Sequence, residues 1–283
     1  MMNNLVILII SHGRPNDVIT VDTLKKAGNK HPFYIVVDNH DKKIKEYIVN
    51  FGKEKVKIFD KDYYANLVDH YDNFYNLRTT THARNACFDI SDKLGYKYFL
   101  VLDDDYTSFK FRIDNKLKHP KSCPNLKKNI SKVFDLTLDY FINSNYKSLC
   151  FSQGGDWFGG EANFNQKPKR KAMNSFFCST DRKFLFFSRL NEDVNTYMGL
   201  GQTNNVFMTI PFIQLDQKQT QQTKGGMTEA YLDGGTYVKS FYTVLNRPDC
   251  TKVSTMGRSN RRLHHNINWK YAKPLIISEK HKK

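Results

Sequence analysis

Four continuous apolar runs dominate the first hundred residues: LVILII (Leu5–Ile10), FYIVVD (Phe33–Asp38), VKIFD (Val56–Asp60) and YFLVLD, whose apolar part is Phe99–Leu102. A strand without polar alternation is buried on both faces, which happens in parallel sheets covered by helices. The stretches between these runs read as helices. One spans roughly residues 16–26, and ARNACFDISDKL stops at Gly95, a glycine placed where a helix ends. The expected fold class is therefore α/β, a Rossmann-like, mostly parallel sheet flanked by helices. With 283 residues the chain can be one large α/β domain or two small ones.

The second half is less regular. Apolar residues at 130, 133, 134, 138, 141 and 142 predict an amphipathic helix over Ile130–Ile142. SLCFS and FLFFS (Phe184–Ser188) read as strands, and TYVKSFYTVL as a helix stopped by NRPD. Two polar, glycine-containing stretches, QGGDWFGGEANFNQKPKRK and QLDQKQTQQTKGGMT, read as surface loops. No internal repeat is visible.

The fourth run ends in three consecutive carboxylates, Asp103, Asp104 and Asp105. Like charges packed at the end of an apolar strand are costly unless a cation faces them. Hard divalent ions, Mn²⁺ or Mg²⁺, take oxygen ligands and are commonly held by one or two carboxylates plus substrate phosphates. Strand alternation would set Asp103 and Asp105 on one side. An acidic turn or helix cap on a solvated loop is the plainer alternative. In open parallel sheets ligands bind beyond the carboxyl ends of the strands. SHGRP after the first strand, Asp38 after the second and the aspartate triplet should thus share one cleft. Neither G-x-G-x-x-G nor G-x-x-x-x-G-K-[ST] occurs, which argues against Rossmann dehydrogenases and P-loop enzymes.

The formal net charge is +16. That surplus favours a polyanionic partner, nucleic acid before an anionic membrane, although a lysine-rich genome produces dispersed lysines too. Clustering favours nucleic acid. KPKRK supplies Lys167, Lys169, Arg170 and Lys171, and the tail supplies Arg261 and Arg262 with Trp269 and Tyr271 interleaved. The five cysteines are scattered, with no C-x-x-C, as fits a reducing cytoplasm. LVILII is too short to span a membrane and MMNN lacks a basic leader, so a cytoplasmic protein with no membrane partner is expected.

SHGRP, DNF (72–74), ARN (83–85), LDDDY (102–106), NED (191–193) and RLHHNINW (262–269), in this order, resemble the phage-type TET-associated glycosyltransferases, enzymes of the GT-A fold that put sugars on hydroxymethylated pyrimidines in DNA. The resemblance implies residues 1–112 as a nucleotide-sugar-binding half and 113–283 as an acceptor-binding half of one GT-A domain. It implies that Ser11 and Arg14 meet the donor, that Asp38 bonds the uracil edge of a UDP-sugar, and that Arg84 meets the diphosphate. Asp38 could equally be a strand-end cap, and Arg84 an ion-paired structural arginine. By the same resemblance Asp103 and Asp105 hold the metal, with Asp104 turned to the sugar hydroxyls. Asp193 would be the base and Glu192 a positioning group, implying inversion, though both also suit a helix start. His265 is the weaker metal candidate, since adjacent rings of a doublet cannot both face one side.

The expected function is metal-dependent transfer of a sugar, glucose first, from a UDP-sugar to a 5-hydroxymethylpyrimidine such as 5-hydroxymethylcytosine in DNA. Three rivals stand beside it: a family 2-like transferase with a non-DNA acceptor, a metal-dependent nuclease or nucleotidyltransferase, and a non-catalytic DNA binder.

Overall fold

A computed structural model describes residues 5–113, 125–157, 171–203, 205–218, 227–235, 237–257 and 261–272. Eight strands build one sheet in the order β3-β2-β1-β4-β7-β6-β8-β5. They are β1 (Leu5–Ile10), β2 (Phe33–Asp38), β3 (Val56–Phe59), β4 (Tyr98–Asp103), β5 (Tyr106–Phe111), β6 (Ser148–Gln153), β7 (Phe176–Ser179) and β8 (Phe207–Gln217). The pairs β1–β2, β2–β3, β1–β4 and β6–β8 are parallel; β7 and β5 run against their neighbours. A separate antiparallel pair, β9 (Thr251–Met256) and β10 (Arg262–Ile267), lies outside the sheet.

The unbroken apolar runs are explained by burial on both faces. Leu5, Ile7 and Ile9 enter one core with Leu24 of α1 (Ile19–Lys26) and Phe134 and Leu138 of α5 (Ile130–Ile142). Val6, Leu8 and Ile10 enter the other with Phe88 and Ile90 of α4 (Thr81–Lys93) and with Val194 and Met198 of the helix Glu192–Gly201. Each such side chain contributes about 1.5–3 kcal/mol when fully buried. α2 (Ile44–Phe51) and α3 (Lys61–Ala65) complete the first half. The α/β class and the mostly parallel sheet are as the sequence led us to expect. The sheet also crosses the boundary at residue 112, because β5 pairs with β8 at the far edge.

Three local expectations need correcting. FLFFS is not a strand; the strand of this region is Phe176–Ser179. Phe184 and Phe186 are buried among aromatic rings, with Phe184 edge-on to Phe88 at 5.2 Å. The backbone N–H and C=O of Phe186 are satisfied by the Asn85 side chain, each at 2.8 Å, and not by a neighbouring strand. The first helix begins at Ile19, because residues 14–17 are taken up by a turn in which the Asp17 N–H bonds the Arg14 carbonyl at 3.0 Å. Finally, Gln214–Gln217 belong to β8 and not to a loop.

Candidate active site

Parallel register assembles the site. Ile10 of β1 pairs with Asp103 of β4, so the next residues, Ser11 and Asp104, stand opposite each other. The Ser11 hydroxyl donates to Asp104 Oδ2 at 2.5 Å and meets the Tyr47 hydroxyl at 2.7 Å. Gly13 sits at φ +73, a left-handed conformation that turns the chain so that Arg14 folds back. The Arg14 guanidinium then lies 3.5 Å from Asp104 Oδ1.

β4 turns directly into β5, and the three aspartates of this turn face different partners. Asp103 is met by Arg84, NH2 to Oδ1 at 3.2 Å. Asp104 faces Ser11 and Arg14. Asp105 keeps a buried Oδ1 with no hydrogen-bond partner. Burial pushes the Asp103 carboxyl up to about 7, against the pull of Arg84, and Asp104 and Asp105 up to about 6. Two of the cations that the triplet demands are thus arginines of the chain itself.

Arg84 sits in the first turn of α4, 2% exposed, with its guanidinium 4.7 Å above the Phe176 ring. Its NH2 also lies 3.3 Å from Glu192 Oε1, which accepts a hydrogen bond from the Thr80 hydroxyl at 2.5 Å. Burial opposes the charge of Arg84, but Asp103, Glu192 and Asp193 outweigh it and hold the guanidinium protonated. Asn191, at φ 61, bends the chain into the helix Glu192–Gly201 and leaves both acids in its first turn. Burial and the neighbouring Glu192 charge push Asp193 up to about 6.

At the other end of the site, Asp38 is tied on both oxygens. His12 Nδ1 lies 2.6 Å from Oδ2, while Oδ1 accepts from Lys61 at 3.4 Å and from the His40 N–H at 3.1 Å. Burial works against this carboxylate, yet the His12 and Lys61 contacts hold it below its ordinary range. Asp38 therefore does cap its strand end, and it also faces the cavity.

One cavity of about 330 Å³ joins these groups: Ser11, Arg14, Asp38, Arg84, Asp103, Asp104, Asp105, Glu192 and Asp193 all line it. It lies beyond the carboxyl ends of β1, β2 and β4, where an open parallel sheet binds ligands.

The profile of the TET-associated glycosyltransferases matches residues 5–226, more than half of the chain. The chain belongs to this family. It is a glycosyltransferase, and the nuclease and pure-binder readings fall away. Curated proteins give no match. Among solved structures, the chain is similar to glucosyl-3-phosphoglycerate synthase from Mycobacterium tuberculosis, crystallised with Mn²⁺, UDP and phosphoglyceric acid (6% identity, TM-score 0.49, 94% of this chain and 87% of that one). It also resembles S. aureus TarS 1-349 (11%, TM-score 0.44, 86% and 64%) and a putative nucleotide-diphospho-sugar transferase from Desulfovibrio desulfuricans G20 (9%, TM-score 0.41, 85% and 99%). Likeness at this level transfers neither donor nor acceptor.

Not every residue singled out in the sequence joins the cavity of this glycosyltransferase. His265 is not among the residues that line the cavity, and among the described residues no three His, Cys, Asp or Glu side chains are grouped as a metal site. The β9–β10 register puts His265 opposite Val253, and its Nδ1 lies 3.3 Å from Asn191 Nδ2, behind the acidic pair. Burial lowers this imidazole to about 3, so it is neutral. Lys171 is held by the Asp156 carboxylate. Arg261 and Arg262 are exposed at β10, away from the cavity. Lys167, Lys169 and Arg170 lie outside the described residues. Conversely, His12, Lys61, Arg78, Thr80, His82 and Lys239 line the cavity without having been singled out. His12 falls within the SHGRP motif; the others carry no local signal, because only the long-range fold brings them in.

Proposed function

We propose that this glycosyltransferase moves a sugar, with glucose the first candidate, from a UDP-sugar to the hydroxyl of a 5-hydroxymethylpyrimidine in DNA, with inversion. One observation carries the reading: the buried acidic pair Glu192–Asp193 and the strand-end carboxylates Asp103 and Asp105 line one cavity, and Arg84 joins the two sets. Residues 1–112 would hold the nucleotide-sugar and 113–283 the acceptor.

The donor set suits Mn²⁺ or Mg²⁺. Asp103 and Asp105 would hold the ion, two carboxylates that leave its remaining positions to phosphate and water. The orphaned Asp105 Oδ1 is a ready ligand atom. When bound, such an ion offsets the charge on the departing diphosphate. Asp38 and Lys61 would bond the base edge, and Arg14 and Arg84 the diphosphate. Asp193 would take the proton of the acceptor hydroxyl as its oxygen attacks the anomeric carbon. The carbon–oxygen bond to the diphosphate then breaks from the opposite face and UDP leaves. Glu192, fixed by Thr80 and Arg84, would orient the acceptor.

The DNA acceptor is supported by the family resemblance and by the net charge of +16. The test is UDP release with Mn²⁺, a panel of UDP-sugars, and DNA carrying 5-hydroxymethylcytosine or plain cytosine. Release confined to the hydroxymethylated DNA supports the proposal and identifies the sugar. Release that ignores the DNA overturns the acceptor.

A further inference from the structure

The segment DNFYNLR, between α3 and α4, presents two aromatic rings to solvent. Phe74 is 73% exposed and Tyr75 95%, the highest value for a large apolar side chain among the described residues. Tyr75 also has a backbone φ of 52, a left-handed conformation that non-glycine residues adopt uncommonly and that clusters at functional sites.

The segment is nevertheless firmly built at its base. Asp72 Oδ2 accepts from Arg189 Nε at 2.6 Å and from the Tyr242 hydroxyl, and Asp72 Oδ1 accepts the Phe74 N–H at 3.1 Å. The Arg189 guanidinium stands 5.6 Å from the Phe74 ring centre, and the Tyr71 hydroxyl donates to Asn246 at 2.8 Å. Phe74 is thus anchored at its base by a buried network, and Tyr75 is the next residue along the chain.

A second recess, formed by Lys61 and residues 74–78, shares Lys61 and Arg78 with the main cavity. The two recesses therefore adjoin at Lys61 and Arg78, and the exposed rings border the second of them. What fits is a flat aromatic face attached to a polyanion.

We propose that Phe74 and Tyr75 are a stacking platform for a base of the acceptor DNA, one unstacked from its neighbours beside the nucleotide that receives the sugar. This rests on the DNA-acceptor reading above. Aromatic platforms bind bases without sequence preference, because every base has a π-face. A backbone track leading to them needs positive charge, which this chain has in excess.

The experiment uses the full chain and single-stranded DNA carrying 5-hydroxymethylcytosine with 2-aminopurine next to it. Wild-type protein should change the 2-aminopurine emission on binding. The double variant Phe74→Ala, Tyr75→Ala should abolish that change and weaken binding by about tenfold, the effect of losing a base–aromatic stack. Phe74→Leu, Tyr75→Leu keeps an apolar side chain but no ring and should behave like the alanine variant; Phe74→Trp, Tyr75→Trp should restore both signals. Thermal unfolding checks that every variant is folded. Unchanged affinity and emission in the folded alanine variant overturn the platform alone. A wild-type protein that neither binds nor modifies DNA overturns the platform and the acceptor reading together.

Discussion

Arg84 and Asp103 form an ion pair in the heart of the fold, NH2 to Oδ1 at 3.2 Å, and the same nitrogen reaches Glu192 at 3.3 Å. One guanidinium therefore joins a strand end of the first half to a helix start of the second. Three carboxylates, the buried Glu192 and Asp193 and the half-buried Asp103, cluster around it, and its charge is what lets two of them stay close. Removing it leaves like charges facing each other in a low-dielectric setting. Arg84→Met should cost about 3–5 kcal/mol, the usual result of breaking a buried ion pair. Arg84→Lys keeps the charge but not the planar fork and should fall between. Urea unfolding measures both; a loss below about 1 kcal/mol for Arg84→Met would mean that Asp103 and Glu192 do not depend on the pair.

Asp105 makes the opposite case. Its Oδ1 is buried with no hydrogen-bond partner, and burial, with the Asp104 charge added, pushes its pKa up to about 6. A carboxylate raised above its unfolded value binds more protons in the folded state, so its contribution becomes less favourable as pH rises from about 4 through about 6. Neutral Asp105→Asn escapes this. The variant should therefore gain stability relative to wild type between pH 4.5 and pH 8 without metal. The neutral histidines His82 and His265 give a trend of the other sign, but it is common to both proteins and cancels in the difference. Added Mn²⁺ should raise the melting temperature of wild type more at pH 8 than at pH 4.5, and that of Asp105→Asn hardly at all. An equal metal response in the two proteins would remove Asp105 from the ligand set.

These contrasts show what the sequence could and could not disclose. The helix Ile130–Ile142 was readable to the residue, because its apolar spacing follows one face. The aspartate triplet was readable as a demand for cations. Its answer was not, because Arg14 and Arg84 reach Asp104 and Asp103 only through β1–β4 register and the placement of α4. FLFFS misled because apolar residues buried beneath a helix and an aromatic cluster look like a strand when the partner of their backbone is a distant side chain, Asn85. Lys61 and His82 were invisible for the same reason: what makes them part of the site is proximity across the fold.

Asp193 offers a test of catalysis separate from binding. As the acceptor base it must be unprotonated, and burial raises its pKa to about 6. Turnover should fall as pH drops through about 6, higher than an ordinary aspartate would give. Asp193→Asn should leave UDP-sugar affinity within about twofold while lowering kcat by at least about 100-fold, the lower range of general-base contributions. Isothermal titration and initial-rate kinetics separate the two. A variant that retains turnover would assign the proton to another group.

The basic residues divide into those free to meet phosphate and those already engaged. Lys171 is held by Asp156, and its charge is largely matched within the fold. Arg261 and Arg262 are exposed at the start of β10, with no carboxylate ion-paired to them among the described residues. Removing one cation that neutralises a phosphate lowers the slope of log affinity against log salt by about 0.9 on duplex DNA. Arg261→Ala with Arg262→Ala should accordingly reduce the slope by about 2, whereas Lys171→Ala should leave it nearly unchanged. Fluorescence anisotropy at a series of salt concentrations reads both slopes. A slope that responds to Lys171 and ignores the two arginines would move the phosphate contacts from the β9–β10 pair to the surface around Lys171 and Asp156.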